Sequence, residues 1–132
     1  MHVKALIAEQ ASAPRQTILE PTWDQVLAAI RMLDGQGRTT VVLECSAEDY
    51  MTVAGGNKRF LCEIYKEFKP GDFRFWTLCD SGSESDEPTK MMVGAEIFVP
   101  RRNCVPLQAA EQAAQTYYER GIADDALLWQ DG

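Results

Sequence analysis

Val105 to Trp129 reads VPLQAAEQAAQTYYERGIADDALLW, and this stretch decides the fold. Proline suits a first helical turn, where its missing N–H would lack a partner anyway, and glycine suits the residue just past a helix end. Pro106 and Gly121 stand at those places. Between them Leu107, Ala110, Ala114, Tyr117 and Tyr118 recur at helical spacing, with Gln108, Glu111, Gln112, Gln115 and Glu119 opposite. One face of this helix needs a partner surface, and the strand-rich middle of the chain supplies it. The helix is a lid on a sheet.

A second helix opens at Thr22, where Gln25 completes a capping-box pattern. Trp23, Val26, Leu27, Ile30 and Leu33 make its apolar stripe, and Gly35 or Gly37 ends it. Before it, residues 2–8 alternate as an edge strand, and residues 9–21, with Pro14 and Pro21, form a connection. After it the period switches to two. Val41, Leu43 and Cys45 share one parity, and a short turn leads into Tyr50–Ala54. Gly55-Gly56-Asn57 then turns into a strand from Arg59 to Lys66, with Phe60, Cys62 and Ile64 on one side. Lys69-Pro70-Gly71-Asp72 is a turn into Phe73–Cys79. Asp80–Pro88, DSGSESDEP, is a surface loop, and Lys90–Val99 is the last long strand, with Val93, Ala95 and Ile97 on its inward parity. The fold class is α+β: an antiparallel β-sheet meander of about five to six strands, with two main helices packed on one face, in a single domain over residues 1–132. The other sheet face would carry Glu44, Leu61, Tyr65, Arg74, Trp76 and Met92. It is a partner surface, or it is covered by the N-terminal connection.

Composition bounds the function. Apolar residues make up 45% and charged residues 25% of the 132, which places the chain among globular domains. No apolar run approaches the roughly 18 residues of a membrane span, and the run at Ala5–Ala8 is too short for a secretory signal, so a cytoplasmic location is expected. The net charge of −7 lies mostly in the second half, with seven Lys and Arg against eight Asp and Glu through Lys66, then six against twelve. An acidic surface repels nucleic acid and anionic membranes and favours basic partners. The four cysteines, Cys45, Cys62, Cys79 and Cys104, lie far apart, and zinc sites usually draw on close pairs. They read as reduced, mostly buried thiols. His2 is the one histidine and is expected to be solvated, which leaves no nucleophile pair. A glycine pair without a P-loop frame is a turn and not a phosphate cradle. The acidic cluster lacks the ligand spacing of an EF-hand. No catalytic set, cofactor motif or metal site is expected.

AGGNKRFLC (Ala54–Cys62), a glycine turn leading into a strand, and LQAAEQAAQTYYERGIADDALLW (Leu107–Trp129), an alanine-rich helix with paired aromatics, a glycine and a late tryptophan, resemble the first-numbered immunity-protein family of bacterial polymorphic toxin systems. The resemblance runs from about residue 22 to the end. Phenylalanine is usual in that family where Tyr117 and Tyr118 stand here. The resemblance implies a non-enzymatic cytoplasmic protein that binds one cognate toxin domain and occludes its active site, with nucleases and nucleic-acid deaminases among the toxin chemistries. A nucleic-acid-directed toxin has a basic groove that an acidic protein can enter in place of phosphate. On that reading the expected contact residues are Asp80, Glu84, Asp86 and Glu87 with neighbouring Asp72, Arg74 and Trp76, and after them the tail acids Asp124, Asp125 and Asp131. Two other readings stay open: a small acidic binding domain, homodimeric through the apolar sheet face, and an enzyme or ligand-binding domain with a pocket between helix and sheet.

Overall fold

A computed structural model describes residues 2–10 and 13–131. In chain order its elements are β1 (Ala5–Gln10), β2 (Ala13–Leu19), α1 (Trp23–Arg31), β3 (Arg38–Ser46), β4 (Asp49–Gly56), β5 (Arg59–Lys69), β6 (Asp72–Cys79), β7 (Pro88–Val93), β8 (Ala95–Pro100), a 3-10 turn at Arg101–Asn103, α2 (Leu107–Arg120) and β9 (Leu128–Asp131). Seven strands form one antiparallel sheet in the order β2-β1-β3-β4-β5-β6-β9, and β7 and β8 form a separate hairpin.

The expected α+β class holds, with a larger sheet than the five to six strands read from sequence. Two strands gained, β2 and β9, and one lost to a separate hairpin account for the difference. Pro14 cannot donate to a ladder, yet it is tolerated in β2 because that strand is the outer edge and pairs only with β1. Residues 13–19 are therefore a strand and not a connection, and β1 is internal. The expected strand at Lys90–Val99 breaks at Gly94, whose φ of 70° suits a tight turn, and becomes the β7–β8 hairpin. Finally, the tail returns as β9 and pairs with β6, Leu78 opposite Trp129.

Period-two burial builds the helix-facing side of the sheet. Leu6, Val41, Leu43, Met51, Val53, Cys62, Ile64 and Leu78 are all buried there, in register across neighbouring strands. Val26 and Ile30 of α1 and Ala110, Ala113, Ala114, Tyr117 and Tyr118 of α2 close over them. Small alanines let α2 lie close to the strands, while Tyr117 fills the space at its far end. The capping box at α1 is present: Thr22 Oγ1 accepts from the Gln25 N–H at 3.2 Å, and Gln25 Oε1 accepts from the Thr22 N–H at 2.9 Å. Gly121 ends α2 in the left-handed region, its N–H on the Tyr117 carbonyl at 2.8 Å. Pro106 lies one residue earlier than expected, just outside the first turn.

The opposite face of the sheet is only half covered. The hairpin packs Met91 and Val99, with Cys104, against Leu61 at one end. The described part of the N-terminal segment lies within the sheet, as β1 and β2, and not across this face.

Candidate functional site

The seven residues expected to make contact do not form one patch. β6 holds Asp72 at one end and leads to Asp80 past the other, a span of about 25 Å at strand rise. Arg74 and Trp76 lie on the helix-facing parity, since Trp76 pairs with Ile64, and not on the outer face where the sequence reading placed them. The Arg74 guanidinium stacks 5.1 Å from the Trp76 ring centre and pairs with Asp131, so one of the tail acids joins them at the sheet edge.

The Asp80–Glu87 loop is held by its own short side chains. Asp80 Oδ1 accepts from the Gly82 N–H at 3.0 Å, and Ser83 and Ser85 hydroxyls accept from the N–H two residues on. Backbone bonds tie it to the 3-10 turn: Asp80 N–H to Arg102 O at 2.7 Å, and Arg102 N–H to Ser85 O at 2.9 Å. Its carboxylates are unequal. Asp86 pairs with Arg102, whereas Glu84 and Glu87 are exposed and, among the described residues, have no cation at salt-bridge distance. Asp124 is structural. It accepts from the Ala126 N–H at 2.9 Å and the Thr116 hydroxyl at 2.8 Å, and these bonds hold its carboxyl below the ordinary value. Asp125 is exposed.

The uncovered half of the outer sheet face carries aromatic rings in cross-strand register. Tyr50 pairs with Tyr65, and Tyr65 with Phe75. The Tyr50 and Tyr65 rings stack at 5.1 Å between centres, and Tyr65 and Phe73 at 5.7 Å. With Thr52 and Glu63 they line an open hollow of about 340 Å³. Phe73 is 50% exposed. Carboxylates edge the rings: Glu67 accepts from the Tyr65 hydroxyl at 3.4 Å, and burial pushes the Glu63 carboxyl above its ordinary value.

Behind this face, on the helix side, lies a polar cluster. Asp49 Oδ1 accepts from the Tyr117 hydroxyl at 2.7 Å, while Oδ2 meets His2 Nε2 at 2.8 Å and the Lys66 ammonium at 3.3 Å. His2 is therefore half-buried and pinned, contrary to the solvated histidine expected; the side chain missing from Gly121 makes room for its ring. Donor atoms of His2, Cys45 and Asp49 lie within 4.8 Å of one another, close enough for a metal ion. The Lys66 ammonium, on the same carboxylate oxygen, already supplies the positive charge there.

Two other hollows are explained by packing. One, of about 440 Å³, lies where the β4–β5 turn meets Gly35, beside Lys58, Arg59 and Lys90. A Cβ on Gly56 would sit 2.3 Å from the Gly35 nitrogen, so the glycine serves this backbone approach. The hollow between α1 and the β1–β2 edge, about 200 Å³, is lined by apolar residues and two glutamines, without a titratable group.

A family model for immunity protein Imm1 matches residues 15–131. The chain belongs to the Imm1 immunity-protein family. The match begins inside β2, so it takes in a strand that the resemblance starting near residue 22 left out. Comparison with curated proteins gave no match. Imm1 membership carries an immunity role and a protein toxin as the class of partner. Of the rings on the outer face, the sequence pattern places Tyr65 there, while Phe73 and Phe75 join it only once the β5–β6 register is known.

Proposed function

We propose that this chain is the immunity partner of one bacterial toxin domain of a polymorphic toxin system, neutralised in the cytoplasm by direct binding that occludes its active site. The observation that carries the reading is the Imm1 match over residues 15–131. The net charge of −7 supports the finer part, a toxin directed at nucleic acid. The active site of such a toxin is basic, so an acidic inhibitor is attracted over long range and repelled by the substrate it replaces. Within the Asp80–Glu87 loop, Glu84 and Glu87 are the free charges suited to steering, and Asp72 and Asp80 extend the same field along β6. Arg74 and Trp76, engaged with Asp131, form the edge next to it.

The test is co-expression with the C-terminal domain encoded by the open reading frame immediately upstream. Rescue of growth together with a co-eluting complex is expected, and a toxic domain neither rescued nor bound would refute the reading. Changing Glu84 and Glu87 to Gln together is expected to slow association several-fold at low salt and to leave dissociation nearly unchanged. An unchanged on-rate would remove the loop from steering.

A further inference from the structure

We propose that the uncovered sheet face, centred on Tyr50, Tyr65, Phe73 and Phe75 and edged by Glu63 and Glu67, is where the toxin domain docks, and that the toxin sets a lysine or arginine there among apolar side chains. This rests on the immunity reading and names the surface and the chemistry of the partner.

Three observations converge on it. First, the rings form a contiguous apolar surface that the β7–β8 hairpin leaves open, although the same hairpin seals the neighbouring end over Leu61. Tyrosine and other aromatics in cross-strand stacks present large contact area with little conformational freedom left to lose, which suits the centre of an interface. Second, Glu63 is half-buried at the floor of this hollow, and among the described residues neither it nor Glu67 has a cation at salt-bridge distance. Lys66 and Arg74 lie nearby in sequence but on the other side of the sheet, committed to Asp49 and Asp131. A carboxylate with little water and no counter-ion gains most from a cation brought by a partner, in keeping with its raised proton affinity in the free chain. Third, the charge argues against a second copy of this chain as the occupant. A twofold dimer places a patch against itself, so the acids of the two copies would meet one another. A basic toxin surface meets no such opposition.

The experiment measures binding kinetics of the purified chain with the toxin domain from the upstream reading frame. Phe73→Ser and Tyr65→Ala are expected to raise Kd by about thirty-fold or more, mainly through faster dissociation. Glu63→Gln is expected to raise Kd by roughly tenfold while the melting temperature holds or rises, because the isolated carboxylate costs the free chain stability. A residue with only a structural role would not move the two readouts in opposite directions. Thr52→Arg, at the floor of the same hollow, blocks docking and tests the surface should a ring deletion fold poorly. Phe98→Ser is the control: Phe98 is 64% exposed on the hairpin, and its loss should leave binding as it was. If Phe73→Ser and Thr52→Arg fold and bind as the unaltered chain does, the surface assignment is wrong and immunity stands. If the unaltered chain does not bind, the immunity reading fails and takes the assignment with it. A dimer in sedimentation that Thr52→Arg disperses would give the face to a second copy instead.

Discussion

Replacing Tyr117 by Phe removes one hydroxyl from the core and nothing else. The ring is fully buried, so Phe fills the same space and no cavity term arises. What is lost is the hydrogen bond that the Tyr117 hydroxyl donates to Asp49 Oδ1, 2.7 Å between the oxygens. A hydrogen bond to a charged group contributes about 1.5–3 kcal/mol. The Asp49 side chain is 21% exposed, so water can reach part of the carboxylate, and His2 and Lys66 still hold its other oxygen. The lower part of the range, about 1.5–2 kcal/mol, therefore applies. With an unfolding entropy of about 2.1 cal/mol/K per residue, a chain of this length has roughly 0.28 kcal/mol/K, so Tm should fall by about 5–7 °C. Thermal unfolding followed by circular dichroism at pH 7 measures this. A Tm within about 1 °C of the unaltered chain would refute the reasoning, showing that the hydroxyl contributes nothing that water does not replace.

Two further perturbations test other parts of the fold. Gly56→Ala forces a Cβ to within 2.3 Å of the Gly35 nitrogen at a φ of 135°, and is expected to cost roughly 3–4 kcal/mol in urea unfolding, whereas Gly37→Ala, with nothing within 4 Å, should stay within about 0.5 kcal/mol. Equal stability of the two variants would show that the β4–β5 turn does not need its close approach to Asp34. Burial pushes the Cys62 thiol far up in the folded chain, so its contribution is fully present below the unfolded thiol value near 8.5 and is lost as pH rises, because the unfolded chain releases a proton that the folded one keeps. Stability by urea unfolding should therefore decline from about pH 8.5 towards pH 10 with a limiting slope of about 1.4 kcal/mol per unit for this thiol. The slope should shrink in Cys62→Ala, and a flat profile to pH 10 would contradict the burial of that thiol.

Much of this architecture was legible because it follows from local rules. The capping box at Thr22 and Gln25, the glycine past α2, the meander from β3 to β6 and the burial of Phe60, Cys62 and Ile64 all rest on neighbours within a few residues. The misreadings have two causes: a pairing partner distant in sequence, or a local irregularity in a hairpin that the residue pattern does not mark. Residues 13–19 look like a connection because Pro14 is a poor strand residue anywhere except an edge, and sequence does not say which strand is last. Trp76 and Arg74 went to the wrong face because β5 and β6 are offset by an irregularity between Glu67 and Lys69, and a one-residue slip exchanges the faces of every side chain beyond it. That slip also hid Phe73 and Phe75, the residues that turn a scatter of outer-face tyrosines into a patch. The expected acidic loop was found as a loop, but the pairing of Asp86 with Arg102 needed coordinates, since sixteen residues separate them.

The polar cluster and the aromatic face belong to one device, because successive residues of a strand point to opposite sides. Asp49 and Lys66 are cross-strand partners on the helix side, and Tyr50 and Tyr65, one position along each strand, are partners in front. Tyr117, His2 and Lys66 converge on Asp49 and so fix the ends of β4 and β5 from behind. The tyrosine pair is thereby held in its stacked arrangement before any partner arrives, and a rigid pair loses less freedom on binding than a mobile one. This gives the hydroxyl of Tyr117 a second consequence. Its removal loosens the platform as well as the core, so Tyr117→Phe should weaken toxin binding by more than the temperature-matched loss of folded chain can explain. The comparison is made well below Tm, where both proteins are folded. There, a Kd unchanged by Tyr117→Phe would separate the two faces, and one raised by a few-fold would join them.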